Sequence, residues 1–297
     1  MRENKVVYGL IGYGGMGRWH TEILSNVSEA VIGGIYDIKK EKREEAKEKG
    51  FFVYETEEAM LADPDIDVVL IATPNDCHKP IAIRAMHAGK NVISEKPVTL
   101  SSADLLEMEN AAKETGKLLT VHQNRRWDDD FLIIKKLVEE QKLGHVFRIE
   151  SRVHGSRGIP GDWRKEKVHG GGMVLDWGVH LLDQILYMYG DRKIETVYAS
   201  LTNITNQEVD DGFTAILTFE GGTEVLVEVG TNNYISLPRW YVLGKDGTAV
   251  IRDWQLTGEI IRKTGKTEET VIPVKTAAGL TKTMAPRRED TIVKEDL

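Results

Sequence analysis

Val6-Val7-Tyr8-Gly9-Leu10-Ile11-Gly12-Tyr13-Gly14-Gly15-Met16-Gly17 is the stretch whose reading decides the fold. A short apolar run of this kind suits a strand buried on both faces. It passes directly into G-x-G-x-x-G, and helical spacing follows from Met16. Gly12 permits a tight turn, Gly14 lets the backbone approach a pyrophosphate, and Gly17 lets the helix pack on the strand with the anion at the helix N-terminus. Alone, such a motif is often only a glycine turn. Asp37, at the end of the next strand pattern and 20 residues after Gly17, adds a carboxylate that can accept hydrogen bonds from the adenosine ribose hydroxyls. The pair reads as a dinucleotide site lined by Gly12, Tyr13, Gly14, Gly15, Met16, Gly17 and Asp37. That carboxylate repels a 2'-phosphate and so favours NAD over NADP, while nearby Lys39 and Lys40 leave NADP open. A helix N-cap is the alternative role for Asp37.

Outward from this core, strand patterns at 5–11, 31–36, 51–54, 67–72, 91–94 and 118–122 alternate with helical patterns at 16–26, 39–49, 56–61, 77–88 and 101–115. Alternation of this kind predicts βαβ units and a doubly wound parallel sheet, a Rossmann domain over residues 1–123. The charged run 39–49 alternates in sign within helical reach and reads as a solvated helix face. After Asp128 the texture changes. One helix is expected at 130–140 and another at 173–189, with strands at 146–154, 196–203, 213–219, 224–229, 241–243 and 249–252. Glu220-Gly221-Gly222 and Lys245-Asp246-Gly247 are hairpin connections. Residues 124–297 therefore read as a second, α+β domain with a mostly antiparallel sheet. The last thirty residues show no core pattern, and the expectation is a second domain that ends early.

A length of 297 residues fits two domains, and 41% hydrophobic with 29% charged residues excludes collagen-like, coiled-coil and largely disordered classes. With 39 basic against 47 acidic residues, the net charge of -8 disfavours nucleic acid or an anionic membrane as the main partner. No run approaches the ~18 apolar residues of a membrane span, so the default location is the cytoplasm. Cys77 is the single cysteine, which leaves neither an internal disulfide nor a thiolate cluster and suits a reducing compartment.

Five further constellations carry chemistry. Thr73, Pro74 and Asn75 follow the fourth strand pattern, where an open parallel sheet binds ligands; a turn with an N-cap is a compatible reading. Glu95-Lys96-Pro97 follows the fifth, where Lys96 is placed to hydrogen-bond a ribose or substrate hydroxyl and both Glu95 and Lys96 read as cofactor contacts. In Gly170-Gly171-Gly172-Met173-Val174-Leu175-Asp176-Trp177-Gly178-Val179-His180, Asp176 and His180 stand at i and i+4 and share a helix face. His180 has the chemistry to take a proton from an alcohol, with Asp176 orienting it or binding a neighbouring hydroxyl. A satisfied core histidine is the alternative. Asp176, His180 and His169 lack a recognisable metal-ligand spacing, so no metal is expected. Trp163 and Arg164, in Asp162-Trp163-Arg164, suit packing against a sugar or nicotinamide ring. Arg125, Arg126 and Trp127 at the domain junction suit either that role or interdomain ion pairs.

Taken in order, GYGGMG, Asp37, ATPN, EKP and GGGMVLDWGVHLLD resemble the glucose-fructose oxidoreductase, inositol dehydrogenase and rhizopine catabolism (Gfo/Idh/MocA) family over nearly the whole chain. HQNRRWDDDF further resembles the subgroup containing scyllo-inositol dehydrogenases. The resemblance implies a large open sheet in the second domain and assembly through it into a homodimer or homotetramer. It implies Lys96 as the reactive lysine, with Asp176 and His180 as its partners. The implied activity is NAD-dependent oxidation of a secondary hydroxyl on a sugar or cyclitol, with His180 as proton acceptor. A redox-neutral, NAD-dependent glycosidase and a non-catalytic dinucleotide-sensing regulator are the competing functions.

Overall fold

The computed structural model describes residues 4–265, 268–275, 281–289 and 291–296 and divides into two compact units. One comprises Met1–Asn124, Ile159–Val179 and Thr205–Asp210; the other comprises Arg125–Gly158, His180–Ile204 and Asp211–Leu297.

In the first unit, β1 (Val6–Ile11), α1 (Gly15–Leu24), β2 (Ala30–Tyr36), α2 (Lys40–Glu48), α3 (Glu57–Ala62), β3 (Val68–Ile71), α4 (His78–His87), β4 (Asn91–Glu95), α5 (Ser102–Thr115) and β5 (Leu119–His122) follow in order. The five strands are all parallel and ordered β2-β1-β3-β4-β5. Apolar residues of β1 feed both faces. Val7 and Ile11 join Met60, Ile81, Met86 and Met108 in one cluster, while Leu10 joins Tyr13, Ile35, Ala46 and Leu70 in the other. Local signals set the helix ends: Ser101 accepts the Asp104 N–H at the start of α5, and Gly116 closes it in the left-handed region at φ 66°. The expected strand at 51–54 is instead a single bridge between Val53 and Ile35. Phe52 is 63% exposed, so this segment lacks the two-sided burial that sustains the central strands.

The second unit carries α6 (Asp129–Glu139), β6 (Val146–His154), α7 (Val179–Tyr189, whose first residue belongs to the first unit), β7 (Ile194–Thr202), β8 (Gly212–Phe219), β9 (Thr223–Gly230), β10 (Trp240–Gly244), β11 (Gly247–Ile251), β12 (Gly258–Lys263), β13 (Glu268–Lys275), β14 (Thr281–Glu289) and β15 (Ile292–Asp296). Eight of these strands form one sheet in the order β15-β12-β11-β10-β6-β9-β8-β7. Its pairs are antiparallel except β6 with β9. Alternate residues of β8 and β9, Phe213, Ala215, Leu217, Val225, Val227 and Val229, point to the buried face. Phe131 of α6 meets Trp240 at 6.3 Å between ring centroids, and Tyr189 of α7 meets Phe219 at 4.7 Å.

Two expectations need correction here. The chain end does contain strands: β13 pairs with β14 in a small sheet of their own, and β15 adds an edge beside β12. Lys294 pairs with Glu259 at 2.6 Å and Arg262 with Glu295, so cross-strand charge holds this edge and no apolar pattern marks it. The helix expected at 173–189 is not α-helical throughout, because Val174–Gly178 winds as a π turn before α7 begins.

Candidate functional site

At the carboxyl edge of the five-stranded sheet, the glycines of the first loop fall into two kinds. Gly12 has φ 98°, and a Cβ there would stand 2.4 Å from the Ala72 carbonyl oxygen; one on Gly17 would stand 2.1 Å from the Gly12 carbonyl oxygen. These two are required by the backbone's own close packing. A Cβ on Gly14 or Gly15 would meet nothing within 4 Å. Gly14 is the N-cap of α1 and supplies no side-chain cap, so open space lies where the first-turn N–H groups can receive an anion. This cradle fits a dinucleotide pyrophosphate. Met16 is half-buried beside it, whereas the Tyr13 side chain is wholly buried, 6.3 Å from the Phe51 ring. Tyr13 thus lends only its backbone to the loop.

Asp37 fastens that loop. Its Oδ2 accepts the Tyr13 N–H at 2.6 Å and its Oδ1 accepts the Lys39 N–H at 2.8 Å. The N-cap of α2 is Lys39, not Asp37. Arg43 donates to the Asp37 carbonyl oxygen at 2.8 Å and fixes the end of β2.

After β3, Thr73 donates its hydroxyl to the Pro74 carbonyl at 3.3 Å, and Asn75, nearly fully buried, donates its amide to the Gly170 carbonyl at 2.9 Å. The amide of Asn75 therefore ties the turn to the Gly170 segment. Nearby, His169 Nδ1 lies 3.0 Å from Asp76 and its Nε2 3.6 Å from Glu166.

Lys96 and Asp176 come together, as does Arg164. Lys96 Nζ donates to the Asp176 carbonyl oxygen at 2.8 Å and to Oδ1 at 3.0 Å, and Arg164 Nε stands 3.1 Å from the same Oδ1. Burial pushes the Asp176 carboxyl up, but Lys96 and Arg164 outweigh it and hold the group below the usual aspartate range. Arg164 is itself positioned by Asp162 at 2.7 Å and by the Trp163 ring, 4.6 Å from its guanidinium carbon. Lys96-Pro97 is a cis peptide.

Two contributors escaped sequence reasoning. Asp210 Oδ2 accepts the N–H groups of Met173 and Val174, both at 2.9 Å, and so caps the π turn that carries Asp176. Gly172, at φ 102°, makes room, since a Cβ there would stand 2.3 Å from the Asp210 carboxylate. The pairing spans 36 and 37 residues and has no local signature. The other is a pair of imidazoles on Glu95: His20 Nε2 lies 2.6 Å and His122 Nδ1 3.0 Å from Glu95 Oε1. Burial pushes the Glu95 carboxyl up, but the bonds from His122 and His20 win and hold it at about 2.

His180 lies in the second unit as the second residue of α7 and is 5% exposed. The same helix holds Asp183, which accepts a bidentate pair from Arg126 at 2.7 and 2.6 Å, and Gln184, which donates to the Arg125 carbonyl at 2.6 Å. Arg125 also pairs with Asp128 at 2.8 Å. The junction arginines thus form ion pairs within the second unit, and Trp127 is exposed. Among the described residues no helix is long and apolar enough to cross a membrane.

Comparison with known proteins accords with this geometry. Residues 6–123 match the oxidoreductase family with an NAD-binding Rossmann fold (GFO_IDH_MocA), and residues 131–250 match the GFO/IDH/MocA C-terminal domain. The scyllo-inositol 2-dehydrogenase (NADP(+)) IolW of Bacillus subtilis is 31% identical over 244 residues, 82% of this chain and 67% of that protein. The myo-inositol 2-dehydrogenase of Thermotoga maritima is 30% identical over 223 residues, 72% of this chain and 65% of that protein. This chain spans only about half the length of some other curated relatives, 53% of the uncharacterized oxidoreductase YdgJ of Escherichia coli among them. The crystal structure of an NAD-binding protein from Listeria innocua superposes with a TM-score of 0.86 at 51% identity, covering 95% of this chain and 81% of that one. With a glycine cradle, a loop-fastening Asp37 and both domains matched in order, the chain belongs to the Gfo/Idh/MocA family of NAD(P)-dependent oxidoreductases.

Proposed function

We propose that the protein is a dehydrogenase that oxidises a secondary hydroxyl of a sugar or cyclitol, with NAD preferred over NADP. The Lys96–Asp176 pair, with Arg164 on the same carboxylate oxygen, is the observation that carries this reading. A neutral polyol offers neighbouring hydroxyls that both donate and accept. Such a pair answers them with an ammonium donor and a carboxylate acceptor side by side. The inositol dehydrogenases at about 30% identity support the same substrate class.

When bound, the nicotinamide supplies the hydride acceptor. The remaining work falls to side chains of this chain. Lys96 donates to the oxygen of the reacting hydroxyl, Asp176 accepts from a neighbouring hydroxyl, and His180 takes the proton that the reacting hydroxyl loses. Trp163 and Arg164 bound the substrate on the side of the glycine-rich segment. For the cofactor, the Gly14 cradle receives the pyrophosphate and Asp37 accepts from the adenosine ribose, where a 2'-phosphate would be repelled.

The test is reduced-nicotinamide absorbance with NAD and NADP separately, over a panel of inositols, free sugars and glycosides. His180→Ala is expected to cut turnover by about a thousandfold with cofactor affinity within about threefold of the parent. Equal loss of both would remove His180 from the proton-accepting role, and no reduction with any substrate would sink the dehydrogenase reading.

A further inference from the structure

Glu95 closes β4, and its two ring partners come from α1 and from the end of β5. In the order β2-β1-β3-β4-β5 this cluster lies toward the end of the sheet away from Asp37, which follows β2. A dinucleotide laid along the carboxyl edge with its adenosine ribose at Asp37 runs its nicotinamide toward β4 and β5.

The chemistry of the cluster is unusual for a buried acid. Glu95 is 5% exposed, and its Oε1 accepts from His20 Nε2 at 2.6 Å and from His122 Nδ1 at 3.0 Å. Its Oε2 accepts the Lys96 backbone N–H at 3.2 Å. One N–H from each imidazole is enough to satisfy this pattern, so the hydrogen bonds by themselves do not cancel the charge of the carboxylate. The Lys96 ammonium donates to the carbonyl oxygen and Oδ1 of Asp176. The three side chains also present ligand-type atoms within 4.8 Å of one another. Two ligands each about 2.1 Å from one ion, however, stand about 3 Å or more apart. The 2.6 Å between His20 and Glu95 is a hydrogen bond, and the cluster is one of hydrogen bonds around an anion.

The oxidised nicotinamide ring carries a positive charge and the reduced ring is neutral. We propose that His20, Glu95 and His122 form a charge-selecting element of the cofactor site, a fixed carboxylate that favours the oxidised over the reduced nicotinamide. The two histidines are positioning residues that keep Glu95 ionised and aimed. The element acts on binding alone, so it stands whether or not the substrate is a sugar.

The measurement is the ratio of the NADH to the NAD Kd at pH 8, from quenching of tryptophan fluorescence or from calorimetry. In Glu95→Gln, which keeps the shape and removes the charge, the ratio is expected to fall on the order of tenfold, or about 30 mV in the midpoint potential of the bound couple. Glu95→Asp retains the charge and should stay within about threefold of the parent. His122→Lys, at the partly exposed ring, sets a permanent cation beside the carboxylate and should lower the ratio even where Glu95→Gln does not fold. A ratio unmoved by both charge-cancelling variants, or equal weakening of NAD and NADH, would overturn the proposal and leave the cluster merely structural. Stoichiometric zinc in the purified protein, lost in His20→Asn, would overturn it by making the cluster a metal site.

Discussion

Single positions in the glycine loop separate folding from binding. Ala at Gly17 drives a methyl into the backbone of Gly12, which no rotamer change relieves. Gly17→Ala should therefore lose about 2 kcal/mol of stability in urea unfolding together with NAD affinity. Ala at Gly14 meets open space in the free protein, so stability should stay within about 0.5 kcal/mol while the NAD Kd rises on the order of tenfold. If both variants lose stability equally, the open space over Gly14 is not a cofactor cradle. Gly12 and Gly17 were legible because each answers a backbone requirement that only glycine meets, and Gly14 because it sits between them in the motif. Asp37 was legible for a related reason, since it ends a strand at a fixed distance from the loop it fastens. Glu95 was read as a cofactor contact, and the histidines that hold its Oε1 lie 75 and 27 residues away, a convergence that no periodicity records.

Elements are joined by side chains that sequence patterns place only on a face. Asp130, in the first turn of α6, accepts at one oxygen from Arg239 Nη2 at 2.7 Å and from Trp240 Nε1 at 3.0 Å, tying the helix to β10 across 109 and 110 residues. Arg239 is 4% exposed and lies 3.9 Å from the Trp254 ring centroid. Removing the acid leaves a guanidinium buried without its counter-charge. Asp130→Ala should accordingly cost about 3–5 kcal/mol in urea unfolding, and Asp130→Asn, which keeps an acceptor, distinctly less. A loss under about 1 kcal/mol would mean that the pair does not hold the helix. The helix itself was visible in the spacing of Phe131, Ile134 and Leu137, but its anchor was not. The π turn was equally hidden, because what sets the start of the helix is Asp210, which lies far off in sequence.

Across the whole molecule, acid should act in two stages. His78, wholly buried, presents Nδ1 to the Pro97 carbonyl at 2.8 Å and Nε2 to the Thr73 carbonyl at 3.0 Å. Burial pushes its pKa below the usual histidine range even though both carbonyls push it up. The unfolded chain therefore takes that proton more readily, and stability falls as pH drops below about 6.5. Glu95 acts lower down. Its carboxyl sits at about 2 against an ordinary 4.5, so its contribution is complete above 4.5 and is lost on the way to 2. It amounts to roughly 3 kcal/mol. Urea midpoints at pH 7.5, 5.5 and 3.5 should fall in sequence, and Glu95→Gln should flatten the second step; an unchanged second step would remove Glu95 from the account.

The lone parallel pair in the large sheet has a kinetic meaning. β7, β8 and β9 pair with their chain neighbours, and so do β10, β11 and β12. β6 alone lies between them, bonded to β10 on one side and to β9 on the other, with partners such as Arg148 and Glu224 far apart along the chain. The sheet is thus two meanders joined by one seam at β6, with β15 added beside β12. Loop-closure entropy falls chiefly on that seam, which makes its docking the slow event in assembly of the sheet.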